Sequence, residues 1–306
     1  MEVSKLCFGT LTMGPLQANK SHEEGGELLL HGFRNGINFL DTADLYDNYF
    51  HIRHALKNWQ RDKVVIATKS YAYSKQTAKE TLDRALNEMD TDYIDIFLLH
   101  EQESEHTLRG HYEALEYLME MKKKCYVRAL GISTHTVRAV EASLGMDEIE
   151  IIHPIVNKMG LGIQDGSVED MLRALEKAHR EGKGIYGMKP LGGGNLLGDF
   201  SSCFEFVLGL SCLDSIAVGM QSKEEIDMNV RIFNEQPIDQ GLIENIKKKE
   251  RRLIIDEWCE KCGKCIERCG HKALKIKEDR VVVDHDKCVL CGYCSKECPL
   301  FCIKVI

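Results

Sequence analysis

Eight short, apolar, β-branched segments recur along the first part of the chain, at residues 6–10, 37–41, 64–69, 93–100, 127–133, 149–156, 184–189 and 215–219. Stretches with helical period separate them, among them 24–34, 75–89, 112–124, 167–180 and 223–233. Ser74, Ser167 and Ser222 stand where helix N-caps belong, and Gly36 and Gly182 follow helix ends. Strict alternation of strand and helix demands a parallel sheet, because each return crossing needs a connection of a dozen or more residues. Eight such units are the number that closes an α/β chain into a (β/α)8 TIM barrel. An open doubly wound sheet fits less well. No GxGxxG turn follows the first strand, and the glycines Gly192 to Gly194 come after the seventh, where barrels commonly hold phosphate.

The remaining chain has another character. Nine of the thirteen cysteines fall at 259 or beyond in this 306-residue sequence. We therefore expect a barrel over 1–233, a helical linker over 234–255, and a small α+β unit over 256–306. Residues 256–306 carry ten Lys and Arg against nine Asp and Glu, whereas the whole chain has a net charge of −8. The acidity therefore lies in the barrel, and nucleic acid is an unsuitable partner. The one basic run, 247–249 with Arg251 and Arg252, is interrupted by Glu250 and reads as a solvated helix face. With no long apolar run and no basic-then-apolar leader, we expect no membrane span and a cytoplasmic location. In that reducing compartment a dense cysteine cluster points to metal binding over disulfides.

In a (β/α)8 barrel the residues that finish each strand line the active-site face. The second strand here runs into Asp41-Thr42-Ala43-Asp44-Leu45-Tyr46, the third ends in Lys69 and the fourth in His100. A Lys or Asp after an apolar run is costly to bury alone, so Asp41 and Lys69 on adjacent strands are expected to neutralise each other. A nearby ammonium stabilises phenolate, so Lys69 is expected to lower the Tyr46 pKa and make that phenol a proton donor. His100 then orients the substrate oxygen. These blocks, together with Ile66-Ala67-Thr68-Lys69 and Asp95-Ile96-Phe97-Leu98-Leu99-His100, resemble the signature segments of the aldo-keto reductases. The resemblance implies Tyr46 as general acid, Asp41 and Lys69 as its tuning partners, His100 as the carbonyl-orienting group, and hydride from NADP or NAD.

By the same resemblance, Ser133, Thr134 and Asn157 hold the nicotinamide amide, with His153 where the family usually has Gln. Met188 replaces the usual stacking aromatic, followed by Lys189 in Met188-Lys189-Pro190-Leu191-Gly192. The segment from Gly219 to Asn229 resembles the cofactor-phosphate segment, with Gly219, Ser222, Lys223, Glu225 and Asn229 as candidate contacts. Glu225 stands where members preferring NADP often carry Arg. Its carboxylate is expected to repel a 2′-phosphate and suit a ribose hydroxyl, while Lys189 and Lys223 keep NADP open.

The tail contains one spacing twice: Cys259-x2-Cys262-x2-Cys265-x3-Cys269 and Cys288-x2-Cys291-x2-Cys294-x3-Cys298. This matches the bacterial ferredoxin pattern, in which the fourth Cys of each run serves the other cluster. It implies two 4Fe-4S clusters, one on Cys259, Cys262, Cys265 and Cys298, the other on Cys288, Cys291, Cys294 and Cys269. Zinc sites more often use separated CxxC pairs. Gly270 replaces the Pro found after Cys298, and Cys302 has no ligand slot.

The function expected is an oxidoreductase acting on a small carbonyl or alcohol substrate, its clusters exchanging single electrons with a redox partner protein. Two alternatives stand beside it. A nicotinamide passes an electron pair while each cluster takes one electron, so the clusters can instead be structural or redox-sensing. In the other, the chain is an electron-transfer or binding protein with an inert barrel, against which the intact Asp41, Tyr46, Lys69 and His100 argue. Because the barrel's closing segment is replaced by the cluster unit, that unit is expected to dock near the mouth.

Overall fold

The computed structural model describes residues 1–247 and 249–306; Lys248, inside the basic run, lies outside them. Eight parallel strands close on themselves in chain order: β1 (Leu6–Gly9), β2 (Phe39–Asp41), β3 (Val65–Ser70), β4 (Ile94–Leu99), β5 (Val127–Thr134), β6 (Ile151–Pro154), β7 (Gly184–Met188) and β8 (Ser215–Gly219). The expected (β/α)8 barrel is therefore present, each of its strands overlapping a segment read from the sequence. Closure is made by β1 on β8, with Leu6 opposite Ile216 and Gly9 opposite Gly219.

Local chemistry sets the helix starts. The Ser21, Ser74 and Ser167 side chains each accept from the backbone N–H three residues on, while Glu24, Thr77 and Asp170 return the bond to the cap. Ser222 caps Lys223–Phe233 in the same direction, accepting from the Glu225 N–H at 3.3 Å. Gly36 and Gly182, at φ of 90° and 85°, end their helices in the left-handed region that a side chain resists. Four further barrel helices, each of fewer than ten residues, were not among the helical stretches read from the sequence: Tyr49–Leu56, Glu105–Gly110, Val137–Ser143 and Phe200–Leu208.

Strand alternation divides the apolar residues between two layers. Cys7, Phe39, Ala67, Ile96, Leu98, Ala129, Tyr186 and Ala217 pack together as one cluster inside the barrel. The opposite face of each strand packs with the helices in a larger core that includes Phe8, Ile66, Phe97 and Ile132.

The linker differs from the helix expected over 234–255. Gln240–Lys247 is helical, but β9 (Leu253–Ile255) is a strand, and it pairs antiparallel with β12 (Ile303–Val305) near the chain's end. Between them, β10 (Leu274–Lys277) and β11 (Arg280–Val283) form a second antiparallel pair. Leu253, Leu274, Val281 and Ile303 build a small core with the cysteines around it. This unit sits on the barrel mouth. Phe301, 1% exposed, belongs to the barrel's core cluster. The turn after β7 lies directly beneath β12: Asn195 Nδ2 donates to the Ile303 carbonyl at 2.9 Å, and a Cβ on Gly194 would lie 2.0 Å from the Val305 carbonyl oxygen. With φ at 86°, Gly194 is required there by both conformation and contact. No helix among the described residues is long and apolar enough to cross a membrane.

Phe301→Ala is expected to cost about 3 to 5 kcal/mol, the usual range for emptying a buried Phe site. Denaturant unfolding, with limited proteolysis after residue 233, measures that cost and the loosening of the tail it brings.

Candidate active site and cluster sites

Asp41 ends β2 and Lys69 lies near the end of β3, so adjacent parallel strands deliver both to the mouth. Lys69 is 1% exposed, and its Nζ donates to Asp41 Oδ1 at 2.7 Å, to Asp41 Oδ2 at 2.8 Å and to the Thr42 carbonyl at 2.7 Å. The expected pairing is therefore complete, and it occupies all three ammonium protons. Tyr186 adds a fourth bond, its hydroxyl donating to Asp41 Oδ1 at 2.9 Å. The sequence reading missed Tyr186. Strand parity could have found it, since β7 alternates Ile185 toward the helices and Tyr186 toward the barrel interior.

Tyr46 sits on the short turn after β2, with Lys69 Nζ 4.9 Å from its ring centre. The Tyr46 pKa runs against expectation. Burial, followed by the charges of Asp41 and Glu101, pushes the phenol well above its usual 10. Burial is the dominant cause, and the Lys69 ammonium that was expected to offset it is engaged by Asp41 and the Thr42 carbonyl. His100 stands edge-on to Tyr46 with ring centres 6.0 Å apart, and Tyr71, also unforeseen, stacks on His100 at 4.5 Å. Burial and then the charges of Lys69 and Lys189 hold His100 well below 6.5, so its imidazole is neutral. Its Nδ1 is buried without a partner.

Of the residues expected at the cofactor, Met188, Lys189, Gly219, Glu225 and His153 line one cleft with Asp41 and Tyr46. His153 is committed elsewhere: it stacks on Tyr186 at 3.9 Å and its Nδ1 donates to the Tyr186 carbonyl at 2.7 Å. Burial takes its pKa down to about 4. Ser133, Thr134 and Asn157 do not line the cleft. Ser133 Oγ accepts from the Glu101 N–H at 2.9 Å, Thr134 Oγ1 bonds the Thr136 hydroxyl at 3.1 Å, and Asn157 braces the loop through Leu161. Ser222, Lys223 and Asn229 do not line the cleft either: Ser222 is a helix cap, Lys223 is exposed, and buried Asn229 keeps an unpartnered side-chain oxygen.

Glu225 is not the free repelling carboxylate expected. Lys249 Nζ reaches its Oε1 at 2.9 Å, Arg251 Nη2 reaches the same oxygen at 3.3 Å, and the Gln221 N–H bonds Oε2 at 2.7 Å. Two cations from the linker thus outweigh one anion at that end of the cleft.

The cysteines gather as the crossed pattern requires. Cys259, Cys262, Cys265 and Cys298 wall one cavity, with Cys302 beside them; Cys269, Cys288, Cys291 and Cys294 wall another. Among the described residues no three His, Cys, Asp or Glu converge on a single-ion site. The two runs repeat each other in backbone as well as spacing. Lys261 and Leu290 take φ of 58° and 53°, and Gly263 and Gly292 take 81° and 74°. In each run the fourth sulfur accepts from the N–H four residues on, Ala273 to Cys269 Sγ at 3.3 Å and Cys302 to Cys298 Sγ at 3.2 Å. Amide donors of this kind favour the thiolate form that cluster ligation needs, so the residues present fit iron-sulfur clusters.

Comparison with known proteins agrees with this architecture. The Aldo/keto reductase family model matches residues 5–203, and a 4Fe-4S binding domain model matches 281–304. The chain belongs to the aldo/keto reductase family. It is 28% identical over 189 residues to "Probable aldo-keto reductase 1" of Glycine max, covering 53% of this chain and 55% of that one. It is 31% identical over 149 residues to "Uncharacterized oxidoreductase YqkF" of Bacillus subtilis, covering 44% and 46%. The matches span about half the length of these curated relatives. Among solved structures, aldo-keto reductase AKR11C1 from Bacillus halodurans, in its holo form, shares the fold with a TM-score of 0.63 at 20% identity, over 80% of this chain and 92% of that one.

Two outcomes follow from the buried charges. Lys69→Met strands an ionised Asp41 and is expected to cost about 3 to 5 kcal/mol, whereas Asp41→Asn combined with Lys69→Met costs less than either change alone; a urea double-mutant cycle reads this. His153 is kept neutral in the fold but binds a proton near 6.5 when unfolded. Its contribution is therefore present above pH 6.5 and lost as pH falls toward about 4. His153→Gln should show a smaller loss of urea midpoint between pH 7 and pH 5 than the parent chain.

Proposed function

We propose that this chain is a nicotinamide-dependent oxidoreductase that reduces a small carbonyl, or oxidises the matching alcohol, at the barrel mouth. The observation that carries the proposal is the convergence of Tyr46, Asp41, Met188 and Lys189 on one cleft, with His100 edge-on to Tyr46. A bound nicotinamide supplies or accepts the hydride. Met188, Lys189 and Gly219, which line the cleft, would hold the dinucleotide. Neutral His100 donates a hydrogen bond to the carbonyl oxygen. Tyr46, whose raised pKa keeps it protonated, delivers the proton that turns that oxygen into a hydroxyl, and Lys69 Nζ stands 4.9 Å from the centre of the ring that is left as phenolate. Asp41 and Tyr186 fix the Lys69 ammonium so that it does not follow the proton.

The chain divides functionally into a barrel over 1–233, a connection, and a unit from 253 onward that holds two 4Fe-4S clusters in the crossed ligand sets. The clusters exchange single electrons with a partner protein, in keeping with a cytoplasmic, reducing setting. The burial of Phe301 in the barrel core supports a second role, in which the clusters hold the wall of the cleft in place. Optical spectra during turnover separate the two. Bleaching on addition of reduced nicotinamide or a reduced carrier indicates electron transfer, and unchanged spectra during steady carbonyl reduction indicate the structural role.

Tyr46→Phe is expected to lower carbonyl reduction by about a hundredfold or more while leaving dinucleotide affinity close to that of the parent. Steady-state kinetics with an equilibrium binding titration check both halves, and near-parental turnover removes Tyr46 from its role. Anaerobic reconstitution is expected to give roughly eight iron and eight sulfide per chain, by metal and sulfide analysis; stoichiometric zinc without visible absorption contradicts it.

A further inference from the structure

The cleft beside Tyr46 has a wall that does not come from the barrel. Lys304 and Val305 of β12 line it, as does Arg251 of the linker, facing Asp41, Tyr46, Met188 and Lys189. Two of these residues are lysines in unusual surroundings. Lys304 is 6% exposed and its Nζ lies 3.5 Å above the Phe301 ring centre; Lys189 Nζ approaches the same ring at 5.1 Å. The aromatic thus lies within reach of both ammoniums.

Neither cation has a full counter-charge. Lys189 Nζ bonds His135 Nε2 at 2.9 Å, a ring kept neutral by its burial and by Lys189 itself. Lys304 Nζ donates to the Phe301 carbonyl and forms an ion pair with Asp256 Oδ2 at 3.7 Å, and the same carboxylate also acts on Lys189, so one anion is shared by two ammoniums. Glu101, the other carboxylate acting on Lys189, already accepts from the Tyr71 hydroxyl at 2.6 Å. Asp41, within the cleft, is neutralised by Lys69. Burial depresses both lysines, helped by the charge of Lys69 at Lys189 and by that of Lys189 at Lys304, to about 8 for Lys189 and about 7 for Lys304, the direction expected of two buried cations that share one nearby carboxylate, Asp256. Lys189 also holds φ at 58°, a left-handed conformation that a lysine adopts under strain, of the kind stored at functional sites.

We infer that Lys189 and Lys304 together bind an oxyanion in the cleft beside Tyr46, so that the cluster unit contributes a ligand-binding residue to the barrel's site. Lys189 and Lys304 line the cleft together with Tyr46, which places the anion on the side of the proton donor and favours a substrate bearing a carboxylate or phosphate. The same chemistry could come from the diphosphate of the dinucleotide. The inference rests on this cleft being the reaction site proposed above, but its test is by binding and needs no turnover.

The experiment is isothermal titration of the cluster-reconstituted full chain with oxalate and with inorganic pyrophosphate, each with and without saturating dinucleotide, and with oxamide as the uncharged control. Lys189→Met and Lys304→Met are measured beside the parent. The expected result is oxyanion binding, absent for oxamide, that weakens at least about tenfold in each variant. Oxalate binding that survives saturation with dinucleotide assigns the anion to the substrate. Pyrophosphate binding displaced by dinucleotide assigns it to the cofactor. Oxyanion binding that is absent, or unchanged in either variant, overturns the inference; Lys189 lies in the barrel, so its arm stands even if Lys304→Met disturbs the cluster unit. Failure of dinucleotide to bind, with oxyanion binding intact, would count against the proposed reaction and leave this inference standing.

Discussion

Phe301 is the residue through which the two parts of the molecule become one structure. It lies at the far end of the chain, three residues after the cluster-run cysteine Cys298, yet its ring is buried in the barrel's core with two lysines against it. A fully buried Phe is among the largest single hydrophobic contributions a chain can make. That seat places β12 over the glycine turn after β7, brings Lys304 and Val305 into the cleft, and holds the linker where Lys249 and Arg251 reach Glu225. If the ring is withdrawn, the cleft loses a wall and two cations.

Beneath that lid the electrostatics follow from scarcity of water. The Asp41 carboxylate is satisfied in the interior by Lys69 and Tyr186, and the Lys69 ammonium in turn has no proton left for other partners. The surrounding groups respond by staying neutral: Tyr46 keeps its proton, while His100, His135 and His153 lose theirs. A site of neutral donors around one satisfied ion pair is suited to handing over a proton without charging the interior first. The two lysines at the mouth depart from that pattern, and the departure is what makes them informative.

Much of the fold was legible because its signals are local. Apolar runs, serine caps and glycine stops lie within a few residues of what they control, and β8 and the helices Lys75–Met89 and Lys223–Phe233 fall where expected. The duplicated cysteine spacing is local in the same sense, and the two cavities gather the crossed sets it implied. What was illegible depends on contacts between distant parts of the chain. Nothing near Phe301 or Lys304 in sequence says that they face Lys189. The upward shift of Tyr46 depends on its burial and on where three ammonium protons go, and Ser133 and Asn157 have hydroxyl or amide groups that the loops around them had already engaged. The short strand β9 was hidden for the same reason, since β12, the strand it pairs with, lies about fifty residues on.

The most direct test of a composite cleft is hydrogen–deuterium exchange on the cluster-reconstituted full chain, with and without saturating dinucleotide. The account predicts that binding slows exchange both in the turn after β7, residues 189–197, and in the final residues, 301–306, because both wall the same cleft. Protection confined to the barrel, with exchange in 301–306 unchanged, would show that the cluster unit does not take part in the site.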